Sequence, residues 1–412
     1  MKKYLFVLVI TSLFGNSFAQ SGWQVQYSGE SFEWYTDIFF LNSNTGWAVD
    51  YGGGKLLKTT NRGTNWISVP NSILSKTGIA FYNESTGWIC GSGGQLYKTI
   101  NSGINWIRTP NCNCNSSQDD FNDIQFINEY TGWAYGDTRI HKTTDGGMSY
   151  FTQTTPLNAW NGWFIDSLRG WVVGYGGYNI AKTTDGGNVW DTVPSPGYTH
   201  NYAISFINDL TGWVSGNGKI FKTTNAGGNW NEQIAGVNIS TEMYKMQFVD
   251  MNNGWIACTN GILLKTSNGG ENWFRQVTGV SDDFWAIFML NSQEGWISGK
   301  GGKIFHTTDG GGPPVGINPI SSEIPTKFSL SQNYPNPFNP TTKIKFEIPK
   351  NAFVKLVVYD SAGKEVEILT DELVQAGEYE AEFNAANYPS GVYYYKFSTG
   401  DFTATKKMIL LK

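Results

Sequence analysis

Histidine and arginine are almost missing from these 412 residues: three of the first, His141, His200 and His306, and five of the second, Arg62, Arg108, Arg139, Arg169 and Arg275. Charge is sparse at 15% of residues, and 29 basic against 34 acidic groups leave a net charge of −5. That balance offers no basic excess for a nucleic-acid backbone. Four cysteines, Cys90, Cys112, Cys114 and Cys258, contain no CxxC pair, so no zinc site is expected. Neither a Gly-x-Ser-x-Gly elbow nor an HExxH helix is present. Past the first twenty residues no run is apolar enough to cross a bilayer as a helix. Low charge does not imply disorder here, because 40% of residues are hydrophobic and 15% aromatic, enough for a large core.

Residues 1–19 read as a secretory signal peptide: Lys2 and Lys3 open it, Tyr4 to Phe14 is apolar, and Ser17 and Ala19 precede a cut at Ala19/Gln20. Export permits disulfides. Cys112 and Cys114 share one polar loop, and a bridge from either to Cys90 is one of several open connectivities.

A Gly-Trp pair recurs at Trp47, Trp88, Trp133, Trp171, Trp213, Trp255 and Trp296, with spacings of 41, 45, 38, 42, 42 and 41. Seven residues before each Trp stands Phe40, Phe81, Phe126, Phe164, Phe206, Phe248 or Met289. Each unit continues through a strand ending in Lys-Thr-Thr or a close relative. A tight Asn/Asp-x-Gly turn follows, such as Asn61-Arg62-Gly63 or Asp145-Gly146-Gly147, and then in most copies an aromatic residue, Trp66 in the first. Asn or Asp opens such turns because its side chain bonds the backbone two residues on, and Gly takes φ > 0 without a clash. Four short strands repeated at this period are propeller blades, whose faces only neighbouring blades can cover. The seventh unit lacks its aromatic strand, and Gly22-Trp23-Gln24-Val25 resembles the missing piece, so the N-terminal segment is expected to close the ring.

The repeat, Thr59-Thr60-Asn61-Arg62-Gly63-Thr64-Asn65-Trp66 for instance, resembles the Asp-box of sialidases and related propellers. Its fuller pattern of Gly-Trp, Lys-Thr-Thr-Asp-Gly-Gly and Trp is similar to the photosystem II stability and assembly factor family over about residues 21–312. The resemblance implies a fold and not a photosynthetic role.

Composition changes after residue 312: all 17 tryptophans precede it, and eight of the 14 prolines fall between Pro313 and Pro349. Residues 313–326 read as linker and 327–412 as a small Ig-like β-sandwich with Val354, Leu356, Val358, Tyr393, Tyr395 and Phe397 in its core. The string from Phe328 through Asn333-Tyr334-Pro335-Asn336-Pro337-Phe338-Asn339-Pro340 resembles the opening of the type A C-terminal sorting domain of type IX secretion. Tyr359 to Gly363, Ser390 to Tyr393 and the ending Lys406 to Lys412 match its later motifs. This resemblance implies Sec export, passage through an outer-membrane translocon, and removal of residues 327–412 by a sortase-like peptidase, leaving the cargo secreted or on the outer surface.

The expected molecule is therefore all-β, a seven-bladed β-propeller over 20–312 followed by the sandwich, and a monomer. It needs no cofactor, metal, nucleic acid or transmembrane segment. A sialidase needs an arginine cluster to grip a carboxylate, and four of the five arginines fall in repeat turns or outer strands. For a two-carboxylate glycosidase the candidates are Asp119, Asp120, Asp282 and Asp283 in blade connectors, where solvated loop acids are the plainer reading. One feature breaks the repeat symmetry. Four residues before the recurring Phe or Met, blades four to seven carry Trp160, Tyr202, Tyr244 and Trp285, whereas the first three carry Thr36, Thr77 and Asn122. With nearby Trp34, Tyr35 and Tyr198 they form either interblade packing, on the Phe face by the two-residue period, or a half-ring that binds a glycan or protein.

Overall fold

The computed structural model describes residues 22–412 apart from 111–113, 115–119, 137–138, 176–179, 195–199, 234, 236–240, 277, 312–316, 322–323, 351, 375 and 387. The signal-peptide reading of 1–19, and with it Cys112, Asp119 and Tyr198, lies outside the described residues.

Seven four-stranded antiparallel sheets account for residues 24–307. Their innermost strands are Tyr35–Phe40, Lys76–Phe81, Phe121–Phe126, Asn158–Phe164, Ala203–Phe206, Met243–Phe248 and Phe284–Met289. Each packs against the next, and the last packs against the first, which closes the ring. Closure is completed by Gln24–Ser28, which pairs with Lys303–Thr307 as the outer strand of blade seven, Gln24 opposite His306. Trp23 is buried, and the Gly22 N–H donates to Asp309 Oδ2 at 3.0 Å.

The Gly-Trp repeat builds one belt between blades. Six of the seven Gly-Trp tryptophans stack on the innermost-strand Phe of the following blade, among them Trp47 on Phe81 at 3.6 Å, Trp88 on Phe126 at 3.5 Å, Trp213 on Phe248 at 3.6 Å, and Trp296 on Phe40 at 3.4 Å across the closure; Trp255 packs in one cluster with Met289 instead. Directly opposite on the neighbouring strand stands the repeat lysine, and Lys58, Lys98, Lys142, Lys222 and Lys265 lie 5.2–5.7 Å from those ring centroids. His306 replaces the lysine in blade seven and stacks on Trp296 at 4.7 Å. The indole N–H of Trp88 donates to Gly146 O at 2.9 Å and that of Trp213 to Gly269 O at 3.1 Å, so the belt also ties these blades to a turn of the next blade.

Those turns work as expected. Thr59 Oγ1 donates to Asn61 Oδ1 at 3.0 Å and accepts from the Gly63 N–H at 2.9 Å, and Asn61 Oδ1 accepts from the Asn65 N–H at 2.9 Å. Gly63 holds φ at 83°, a conformation that side-chain-bearing residues avoid. The same threonine-to-Asx bond recurs in all seven blades. The repeat acids are thus spent on turns, and no cluster of metal-ligating residues occurs among the described residues.

The second region is a sandwich of two four-stranded sheets. One orders Ile317–Ser321, Gly377–Asn384, Thr341–Ile348 and Ser329–Leu330; the other orders Glu365–Val374, Ala352–Tyr359, Gly391–Ser398 and Thr403–Leu410. Residues 317–321, read as linker from their Gly-Pro-Ser composition, differ from that expectation: they pair as an edge strand, Ile317 opposite Ala381. All six expected core residues are buried. The Pro-Asn-Pro-Phe-Asn-Pro string is pinned across the sandwich. Phe338 is buried and its N–H donates to Ile409 O at 3.0 Å, while Asn333 Nδ2 donates to Pro335 O and Thr342 Oγ1.

Candidate functional site

In six innermost strands the pairing register skips one residue, and the skipped residues are Thr36, Thr77, Asn122, Trp160, Tyr244 and Trp285. A bulge leaves its extra residue unpaired and re-aims its side chain. In blade five Tyr202 stands just before the strand, with its N–H bonded to Ser215 O. The two-residue period places all of these on the Phe face; the bulge reverses that parity. The Phe side chains enter the interblade belt, and the skipped residues meet at one end of the central channel.

The rim they form has two halves. On blades one to three the side chains bond forward to the next blade's backbone: Thr36 Oγ1 to Lys76 O at 2.8 Å, Thr77 Oγ1 to Phe121 O at 2.6 Å, and Asn122 Nδ2 to Ala159 O at 3.4 Å. On blades four to seven the rings touch in sequence. Trp160 meets Tyr202 at 5.6 Å, Tyr202 meets Tyr244 at 5.8 Å, and Tyr244 meets Trp285 at 5.6 Å. The arc continues from Trp285 to Trp34 at 5.9 Å and from Trp34 to Tyr51 at 6.5 Å. His200 lies beside it, 6.1 Å from Tyr202. Trp34 and Tyr51 are 37% and 36% exposed. Tyr35 differs from the sequence expectation: its side chain is fully buried between blades seven and one, with its hydroxyl donating to Glu33 Oε2 at 2.8 Å.

The two halves enclose a cavity of about 390 Å³. Thr36, Thr77, Ser92, Asp120 and Asn122 face Trp160, Tyr244, Trp285 and Tyr51 across it. Its floor is Asp123, Asn161 and Lys245, contributed by blades three, four and six. Lys245 Nζ reaches Asp123 Oδ2 at 2.6 Å and Asp37 Oδ1 at 3.8 Å, and Asn161 Nδ2 donates to Asp123 Oδ2 at 2.9 Å. Burial pushes the Asp37 carboxyl up to about 6, with Lys245 opposing and Asp123 adding to the rise. Burial alone would lower the Lys245 ammonium, but Asp123 and Asp37 more than reverse this and raise it. This ion cluster crosses the channel and divides it. Beneath lies a second space of about 180 Å³ walled by Phe39, Phe288, Trp163, Gln125 and Gln247. Asp120, a connector acid already singled out in the sequence, lines the cavity; Tyr51, Asp123, Asn161 and Lys245 were not legible as site residues, because none stands at a marked position of the repeat.

The glycosidase candidates that the structure describes have other partners. Asp120 Oδ1 accepts from the Gly93 N–H, Asp282 lies 3.4 Å from Lys303 Nζ, and Asp283 accepts from the Asn260 N–H and pairs with Lys300 at 2.6 Å. No arginine is among the cavity-lining residues; Arg62 pairs with Glu294 and Arg169 with Asp166 and Asp209. His141 is buried beside Phe121. Cys114 is disulfide-bonded, while Cys90 and Cys258 are buried free thiols, so the bridge does not reach Cys90.

Comparison with known proteins agrees with both regions. Residues 332–411 match the family described as secretion system C-terminal sorting domain, and residues 231–327 match that described as photosynthesis system II assembly factor YCF48. No curated protein matches the chain in sequence. Among solved structures, "YCF48 bound to D1 peptide" aligns with a TM-score of 0.59 at 20% identity, over 70% of this chain and 97% of that one. YCF48 from Cyanidioschyzon merolae gives 0.58 at 16% identity, over 70% and 98%. PorZ of Porphyromonas gingivalis, described as an essential bacterial surface component of the type-IX secretion system, gives 0.53 at 15% identity, over 94% of this chain and 61% of that one. At these identities the neighbours share a fold. The chain is an Asp-box propeller resembling the photosystem II assembly factors, joined to a type IX sorting domain that directs it to the cell surface or the medium. Among the described residues no helix is long and apolar enough to cross a membrane.

Proposed function

We propose that the mature chain is a non-enzymatic, monomeric binding protein that holds a glycan or protein ligand at the mouth of its channel. The sorting domain delivers it through the type IX translocon, and a sortase-like peptidase then removes residues 327–412. The observation that carries this reading is the divided rim. Seven equivalent positions converge there; Thr36, Thr77 and Asn122 bond to the next blade's backbone, whereas the hydroxyls of Tyr202 and Tyr244 turn to Glu242 and leave their ring faces to the channel mouth. The aromatic ones wall a cavity within the size range of small-ligand and side-chain pockets. The described connector acids serve turns and ion pairs, which supports binding over hydrolysis.

The test applies the full chain to glycan and peptide arrays, alongside Trp160→Ala and Trp285→Ala proteins checked for fold by circular dichroism. Both variants are expected to lose at least about tenfold in affinity for whatever the parent binds, the scale of a lost aromatic contact. Full binding by two folded variants would remove the cavity from the account. Turnover of any polysaccharide that vanishes in Asp120→Asn, Asp282→Asn or Asp283→Asn would overturn the non-enzymatic part.

A further inference from the structure

We infer that the group seated in this cavity is the cationic side chain, arginine or lysine, of a protein partner; the inference rests on the reading that the cavity binds a ligand at all. Three observations lead to it. The first is charge. The lining residues include two carboxylates, Asp120 and Asp123, against one base, Lys245. Lys245 is already held by Asp123 and Asp37. Asp120 gives one oxygen to the Gly93 N–H at 2.6 Å and has no ion-pair partner among the described residues. The cavity therefore carries uncompensated negative charge opposite aromatic faces, whose quadrupoles also attract cations.

The second is a precedent within the same arc. Lys300 lies with Nζ 5.6 Å from the Trp34 ring and 5.4 Å from the Trp285 ring, and its ammonium reaches Asp283 Oδ2 at 2.6 Å. An alkyl stem between rings, ending on a carboxylate, is how a long basic side chain buries carbon while keeping its charge paired. Trp285 also lines the cavity, where with Tyr244 and Trp160 it supplies an apolar wall beside the Asp120 carboxylate.

The third is ring geometry, which separates a side chain from a sugar. Successive rings from Trp160 to Trp34 meet at interplanar angles of 78°, 60°, 50° and 53°. The one near-parallel pair, Trp34 with Tyr51 at 8°, stands at the far end of the arc, so the stretch from Trp160 to Trp285 presents no broad flat platform for a pyranose ring. Tilted rings instead enclose a narrow stem.

The experiment titrates the full chain, by calorimetry or ligand-observed NMR, with the blocked tripeptide acetyl-Gly-Arg-Gly-amide and its near-isosteric citrulline counterpart. Glucosamine and glucose form a second matched pair. The arginine peptide is expected to bind about tenfold more tightly than the citrulline peptide, a charge-dependent difference. Asp120→Asn, which keeps an oxygen for the Gly93 N–H, should erase most of that ratio. Asp282→Asn, a connector acid outside the cavity lining and beside Lys303, should leave it intact. Equal binding of both peptides, with loss in Trp285→Ala, overturns the cationic assignment while leaving the cavity a binding site. Glucosamine binding more tightly than the arginine peptide moves the assignment to an amino sugar and overturns the protein source. No binding of any probe overturns the inference, while array ligands sensitive to Trp160→Ala or Trp285→Ala would still sustain the broader reading.

Discussion

The interblade belt and the channel rim are both built from the innermost strands, a few residues apart, yet they obey different rules. In the belt the same aromatic stack recurs from blade to blade, a lysine or histidine lies over its outer face, and every member is buried or covered. At the rim no residue type appears on more than two of the seven blades. A ring of blades needs equivalent contacts at each junction, so repetition marks what stabilises it. Divergence at equivalent positions marks what is free of that demand. The floor of the cavity is intermediate, since Asp37, Asp123 and Lys245 stand at one repeat position that varies among blades, yet they lock blades one, three and six together.

The strongest way to break this contrast is to damage the belt. Trp213 is fully buried, stacks on Phe248, donates to Gly269 O and carries Lys222 over its face. Trp213→Ala should cost about 3–5 kcal/mol of stability, the range for deleting a large buried ring. Denaturant unfolding measures it; a loss under about 1 kcal/mol would mean the belt does not hold the blades. Next in size is Lys245→Met. It leaves two carboxylates facing each other across the channel, which in a fully buried pair costs about 3–5 kcal/mol. Lys245 is a quarter exposed, so roughly 2–3 kcal/mol is expected. Restoring most of that loss in the Asp123→Asn, Lys245→Met double variant would show that the charges, and not the lysine's packing, are responsible.

How much of this was legible in the sequence follows the same division. The spacing of Trp47, Trp88 and their equivalents revealed the blades, and the likeness of Gly22-Trp23-Gln24-Val25 to the missing strand revealed the closure, because repetition is visible in one dimension; the stacking of these tryptophans on the next blade was not. The rim positions were visible too, as the break in symmetry at Trp160, Tyr202, Tyr244 and Trp285. Their direction was not, because a bulge carries no fixed residue signature and one unpaired residue reverses the parity of a strand. Tyr35 was misplaced for the same reason: it directly precedes the skipped Thr36, so its ring turns into the core. The floor was invisible, since Lys245 and Asp123 are separated by 122 residues and only ring closure brings them together. In the sorting domain, glycine and proline near 313–319 masked a strand whose partner lies some sixty residues on.

The finest test lies within the rim itself, where the polar and aromatic halves should separate stability from recognition. Thr77 Oγ1 donates to Phe121 O at 2.6 Å, and its other near contact is Cys90 Sγ at 3.5 Å. Valine keeps the shape but has no donor, so Thr77→Val leaves the Phe121 carbonyl without this partner. One lost neutral hydrogen bond at a half-buried junction is worth about 1 kcal/mol. The expected outcome is a small fall in the denaturation midpoint with affinity for any cavity ligand unchanged within about twofold, since a fraction of 1.4 kcal/mol is a fraction of a decade. Trp160 stands at the equivalent place in blade four and is part of the ring arc. If Thr77→Val instead weakened the ligand as strongly as Trp160→Ala, the polar half would be contacting that ligand, and the assignment of blades one to three to interblade bonding alone would fail.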